Sequence, residues 1–95
     1  MRAKEILEKL TESIASCDPE MARSMAQEAS KANVSSSDAI FNGLAKGMAV
    51  VGEKYGKGEY FLAELIMAGE AMHEALSILM PMLDAEKGGF AAKGR

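Results

Sequence analysis

Apolar residues recur three and four positions apart along most of this chain, and no segment alternates with the period of two that a half-buried strand requires. Ile6, Leu7, Leu10 and Ile14 form the first stripe, while Lys4, Glu5, Glu8, Lys9 and Glu12 fill the opposite face. The spacing predicts a helix over residues 2–16 with one side in a core. Asp18 and Pro19 then make a start signal, because the Asp side chain can accept from free first-turn amides and Pro fits the first helical position. The second helix is expected to turn Met21, Ala22, Met25, Ala26, Ala29 and Ala32 inward. Asn33 suits the left-handed conformation that closes a helix, and Ser35, Ser36, Ser37 and Asp38 supply caps for a third.

The third helix carries the stripe Phe41, Leu44, Met48, Val51 and Tyr55, with Gly43 and Gly47 one turn apart on an adjoining face. Small residues at that spacing let another helix approach closely, and such packing offsets the cost of glycine, about 1 kcal/mol against alanine inside a helix. The fourth and longest helix resumes near Phe61 and carries Leu62, Leu65, Ile66, Gly69, Met72, Leu76, Leu79, Met80 and Leu83. Pro81 lacks an amide hydrogen and is expected to kink or end its last turn. Three short connections favour antiparallel neighbours. The predicted fold is therefore all-α, an antiparallel four-helix bundle.

Length and charge narrow the function. Ninety-five residues make one small domain with a modest core, a size at which a helper domain or self-association is expected. A net charge of -3, with the basic residues scattered singly among acids, argues against a nucleic-acid surface. Cys17 is the single cysteine, so no internal disulfide forms and a reducing cytoplasmic setting is the simplest reading. Glu5 and Glu8 interrupt any signal-like run at the N-terminus, and Glu64 and Glu70 break the longest apolar stretch, so no membrane span is expected. Most of the eight methionines fall on core stripes, where the flexible side chain fills gaps.

Three motifs fail when their chemistry is checked. Gly52 to Gly58 reads GEKYGKG, but its first gap is one residue short for a phosphate loop and Gly58 stands where a magnesium-holding Ser or Thr belongs. His73 has only Glu70 a turn away, fewer ligands than a zinc site takes. Glu70-Ala71-Met72-His73 has the spacing of a di-iron bundle motif, yet the first two helices offer no second copy. No catalytic or metal-binding residue is expected. What remains is the corner around VGEKYGKGEYFLAEL, where Tyr55, Phe61, Leu62 and Leu65 converge beside glycines that let a backbone lie close to something flat.

The run from Leu44 to Leu83, GMAVVGEKYGKGEYFLAELIMAGEAM with ALSILMPML after it, resembles the helical cap domain of cobalamin-binding methyltransferase proteins, the family of cobalamin-dependent methionine synthase and the methanol and methylamine corrinoid proteins. The matching positions are Gly47, Met48, Val51, Gly52, Gly58, Phe61, Leu62, Ala68 and Met72. The resemblance implies a bundle lying over the upper, methyl-bearing face of cobalamin, with Tyr55, Leu62 and Leu65 at the cofactor-binding positions. Tyr55 stands where the family usually has Phe, Ala63 where it has Pro, and Gly69 where it has Ala. It further implies a cap over residues 1–87 and a linker over 88–95, leading to a Rossmann-like cobalamin-binding domain whose DxHxxG motif does not occur in these residues. A methyltransferase subunit is the implied partner. The other readings of the same features are the cap module of a cobalamin-dependent light or ligand sensor, and a cofactor-free helical interaction domain.

Overall fold

In a computed structural model, residues 2–86 are described. Four helices follow in order: α1 (Ala3–Ala15), α2 (Pro19–Lys31), α3 (residues 36–56) and α4 (Leu62–Glu86). α3 is continuous but changes pitch, from Ser36–Ala39 through a π-helical turn at Ile40–Leu44 into Ala45–Gly56. No strand occurs among the described residues. The tail read as a linker, 88–95, lies outside them.

The helix ends are local chemistry. Glu5 Oε1 accepts from the Arg2 amide at 3.0 Å at the start of α1, and Asp18 Oδ1 accepts from the Met21 amide at 3.2 Å at the start of α2. α1, α2 and α3 all close with a residue in left-handed conformation, Cys17 (φ 59), Asn33 (φ 60) and Gly58 (φ 81). Each supports the paired bonds that satisfy the last carbonyls: Asp18 N to Ser13 O and Cys17 N to Ile14 O, Val34 N to Ala29 O and Asn33 N to Ser30 O, Glu59 N to Lys54 O and Gly58 N to Tyr55 O. Sequence singled out Asn33 for this role; Cys17 carries no such signal.

The core takes Ile6, Leu10 and Ile14 from α1, Ala22, Met25, Ala26 and Ala29 from α2, Leu44 and Val51 from α3, and Ala68, Ala71, Ala75 and Leu79 from α4. α2 packs along α4, and both present alanines there. The expected glycine seam is present between α1 and α3: a Cβ at Gly43 would meet Leu10 Cβ at 3.0 Å, and one at Gly47 would meet Ile14 Cβ at 2.5 Å and the Thr11 carbonyl at 2.7 Å. Thr11 Oγ1 donates across the same seam to the Gly43 carbonyl at 2.9 Å.

Four expectations are corrected. Ala32 is exposed because α2 has already ended beneath it. Phe41 is 65% exposed, since three residues sweep less of a circle in the wide π turn and leave it off the line of Leu44, Met48 and Val51. Of the two outcomes expected at Pro81, a kink or an end, the end is overturned: α4 continues through it to Glu86. Most consequentially, α4 buries Ala68, Ala71 and Ala75, so Ile66 and Gly69 of its stripe face outward.

Candidate functional site

The corner between α3 and α4 is held rigidly from inside. The Lys54 carbonyl accepts from the Glu59 amide at 2.8 Å and the Tyr60 amide at 3.1 Å. Tyr60 turns inward and donates its hydroxyl to the Ala15 carbonyl at 2.6 Å, tying the loop to the end of α1. The Lys54 ammonium sits 5.3 Å from the centre of the Tyr60 ring and 3.6 Å from Glu59. α4 opens with Glu64 Oε1 accepting from the Phe61 amide at 2.8 Å, one half of a capping box.

With Tyr60 anchoring the loop, the other large side chains of the corner point to solvent. Phe61 is 67% exposed, Leu62 65%, Ile66 59% and Tyr55 49%, with Met67 exposed beside them. Soluble domains rarely leave so many aromatic and aliphatic side chains uncovered in one region unless something docks there. Of the three positions singled out by sequence, Tyr55 and Leu62 project, whereas Leu65 is half-buried and packs on the core. Ile66 and Met67 were not singled out for the site. The signal that could have found Ile66 is the alanine series Ala68, Ala71 and Ala75, which lies on the opposite face of α4; Met67 sits at the edge of that buried face.

Gly52, Gly56 and Gly69 complete the surface. A Cβ built on any of them meets nothing within 4 Å, so no internal neighbour requires their small size. They leave bare helix backbone where a flat body can approach. This is the reverse of Gly43 and Gly47, which the bundle itself fills.

The corner offers little acid or base chemistry. Glu53 pairs with Lys57 at 3.8 Å and Lys54 with Glu59 at 3.6 Å. Cys17 donates its thiol to the Glu64 carbonyl at 3.3 Å, and burial, with the Glu64 charge added, pushes that thiol above its ordinary pKa and keeps it protonated. His73 is exposed, and no group of three metal-binding side chains occurs among the described residues. A groove of about 470 Å³, lined by Lys4, Leu7, Thr11 and Lys46 among others, lies toward the opposite end of α1 and α3 and mixes both signs of charge with Glu8 and Asp38. No helix of the described residues is long and apolar enough to cross a membrane.

Comparison with known proteins bears on what such a surface meets. Residues 6–80 match the family described as B12 binding domain. Monomethylamine corrinoid protein 1 of Methanosarcina mazei is 39% identical over 87 residues, covering 92% of this chain and 40% of that protein. The trimethylamine corrinoid protein of Methanosarcina barkeri is 37% identical over 84 residues, covering 88% of this chain and 39% of that protein. The solved structure of the Methanosarcina barkeri monomethylamine corrinoid protein matches with a TM-score of 0.84 at 35% identity, over 87% of this chain and 39% of that one. The chain thus spans about 40% of the length of the curated relatives it matches.

Proposed function

The chain belongs to the B12 binding domain family, and from that premise we propose that its exposed corner is the lid of a corrinoid site, closing over the upper face of a cobalamin held from below by a second, Rossmann-like domain. The observation that carries this reading is the pairing of uncovered apolar side chains, Tyr55, Phe61, Leu62 and Ile66, with helical glycines that have open space above them. A corrin is broad, flat and apolar across its face. Bare backbone at Gly52 and Gly56, with open space above it, lets such a body come close.

In this reading Tyr55 and Leu62 touch the ring, and Leu65, one turn on and packed against the core, backs the same corner. The corrinoid supplies the metal chemistry of methyl transfer; this chain supplies contact and the exclusion of water. A lid must also open to admit a methyltransferase, so the corner is a gate as well as a cover. An apolar surface serves both states, because it binds without a ligand bond that would have to break.

The test is to mix the chain with a corrinoid-binding domain of a methylamine corrinoid protein, with and without cobalamin, and to measure association by calorimetry. Association is expected to tighten when cobalamin is present. Leu62→Ala should weaken it about tenfold or more, the effect of removing most of a buried leucine, while the helical signal by circular dichroism stays intact. Tight binding of cobalamin by this chain alone would instead reveal a complete site and sink the lid assignment.

A further inference from the structure

Tyr55 and Tyr60 lie at the same corner and are used in opposite ways. Tyr60 is half-buried and its hydroxyl is committed to the Ala15 carbonyl at 2.6 Å. Tyr55 projects from the last turn of α3, 49% exposed, between Gly52 and Gly56, and its hydroxyl has no partner among the described residues. The polar groups around it are engaged: Glu53 with Lys57, Lys54 with Glu59, and Glu64 with the Phe61 amide. The apolar patch therefore contains an uncommitted neutral donor.

While the corner is open, water satisfies that hydroxyl. When the corner closes on a flat apolar body the water leaves, and a phenol without a partner opposes closure. Amphipathic tyrosines are used at interfaces where the ring is covered and the hydroxyl finds an acceptor. Cobalamin offers that combination, with an apolar face and carboxamide side chains around the rim whose oxygens accept strongly. Resting on the lid reading above, we infer that Tyr55 is a positioning residue whose hydroxyl donates to a rim carboxamide oxygen of the corrin and fixes how the lid is rotated over the ring. Leu62, Phe61 and Ile66 have no directional group and cannot set that angle.

Tyr55→Phe isolates the hydroxyl, since it keeps the ring and removes no bond within the bundle. Wild type, Tyr55→Phe and Leu62→Ala are each titrated against the corrinoid-binding domain, cobalamin-loaded and cobalamin-free, by calorimetry. Tyr55→Phe should weaken association with the loaded domain about three- to tenfold, the range for one hydrogen bond, and leave association with the cobalamin-free domain and the thermal melt unchanged. Equal weakening on both forms would overturn the inference, because the acceptor would then belong to the partner protein. Wild-type affinity for both forms would also overturn it, leaving an idle hydroxyl; Leu62→Ala would then still report on the lid. If cobalamin changes the affinity of none of the three proteins, the lid reading itself fails.

Discussion

The two halves of α3 use glycine for opposite ends. In the lower half Gly43 and Gly47 face α1 so closely that an added Cβ at Gly47 would sit 2.5 Å from Ile14 Cβ; in the upper half Gly52 and Gly56 face open space. The first pair is explained by the molecule as it stands. The second pair weakens the helix without any return inside the bundle, since glycine is among the poorest helix formers. A residue that costs stability and contributes nothing to the core points to a partner outside it. The same division separates the buried Leu79 from the exposed Leu62, and Tyr60 from Tyr55.

The largest effects should divide along that line. Leu79 is fully buried, so Leu79→Ala removes core volume and should lower stability by about 2–5 kcal/mol. Leu62→Ala, at a side chain 65% exposed, should change it by about 0.5 kcal/mol or less. Urea denaturation followed by circular dichroism measures both. Equal losses would mean that Leu62 is part of the core and that the comparison has been drawn in the wrong place.

Next in size is the seam itself. Gly47→Ala brings its new methyl against Ile14 Cβ and the backbone carbonyl of Thr11, neither of which is the far end of a flexible side chain. α1 must move away. A net loss of about 1–3 kcal/mol is expected, despite the better helix propensity of alanine, and Gly43→Ala should lose less because its nearest contact is 3.0 Å. A Gly47→Ala protein that melts at or above the wild-type temperature would show that the seam is looser than it is drawn.

Much of the bundle was legible because it follows from local chemistry. The stripe Ile6, Leu10 and Ile14, the Asp18-Pro19 start and the Asn33 close are each settled within a few residues. The outward turn of Ile66 was not legible, because α4 is apolar nearly all round and its stripe could be drawn through leucines or through alanines. The bundle takes the alanines, which let α2 come close with its own Ala22, Ala26 and Ala29. Hydrophobicity alone favours the leucines and so conceals the exposed face. Phe41 escaped for a different reason: a π turn changes the angular spacing that periodicity assumes. Within the site, the apolar character of the corner was legible, but which of its two tyrosines projects from α3 and which ties the loop to α1 depends on a hydrogen bond spanning 45 positions of sequence.

The tyrosine pair gives a smaller effect. Tyr60→Phe removes the donor to the Ala15 carbonyl and should lower stability by about 0.5–1.5 kcal/mol, whereas Tyr55→Phe should leave the denaturation midpoint within error. Hydrogen exchange sharpens the contrast. Losing the Tyr60 bond should speed exchange of amides at the start of α4, because the loop is no longer tied to α1. Unchanged exchange there would mean that the backbone bonds to the Lys54 carbonyl hold the corner unaided.

The smallest effect carries the comparison furthest, because stability and binding should move in opposite directions. Gly69 lies within α4, exposed, with nothing inside 4 Å of an added Cβ. Gly69→Ala therefore creates no clash and should raise stability by about 0.5–1 kcal/mol, the ordinary gain of alanine over glycine in a helix. A methyl group on the outer surface is indifferent to the isolated bundle but not to a flat body pressed against its backbone. The resembled family usually carries Ala at this position, so what is at stake is the wider corner that Gly69 leaves in this chain: if the lid has settled into that space, association with the cobalamin-loaded domain should weaken even as the melting temperature rises. A buried glycine could not give this result, since its substitution lowers stability first and any loss of binding would follow from unfolding. If Gly69→Ala stabilises the bundle and binds as tightly as wild type, the open space above Gly69 faces solvent in the closed state too, and the contact surface of the lid is confined to the α3 end of the corner, at Tyr55, Phe61 and Leu62.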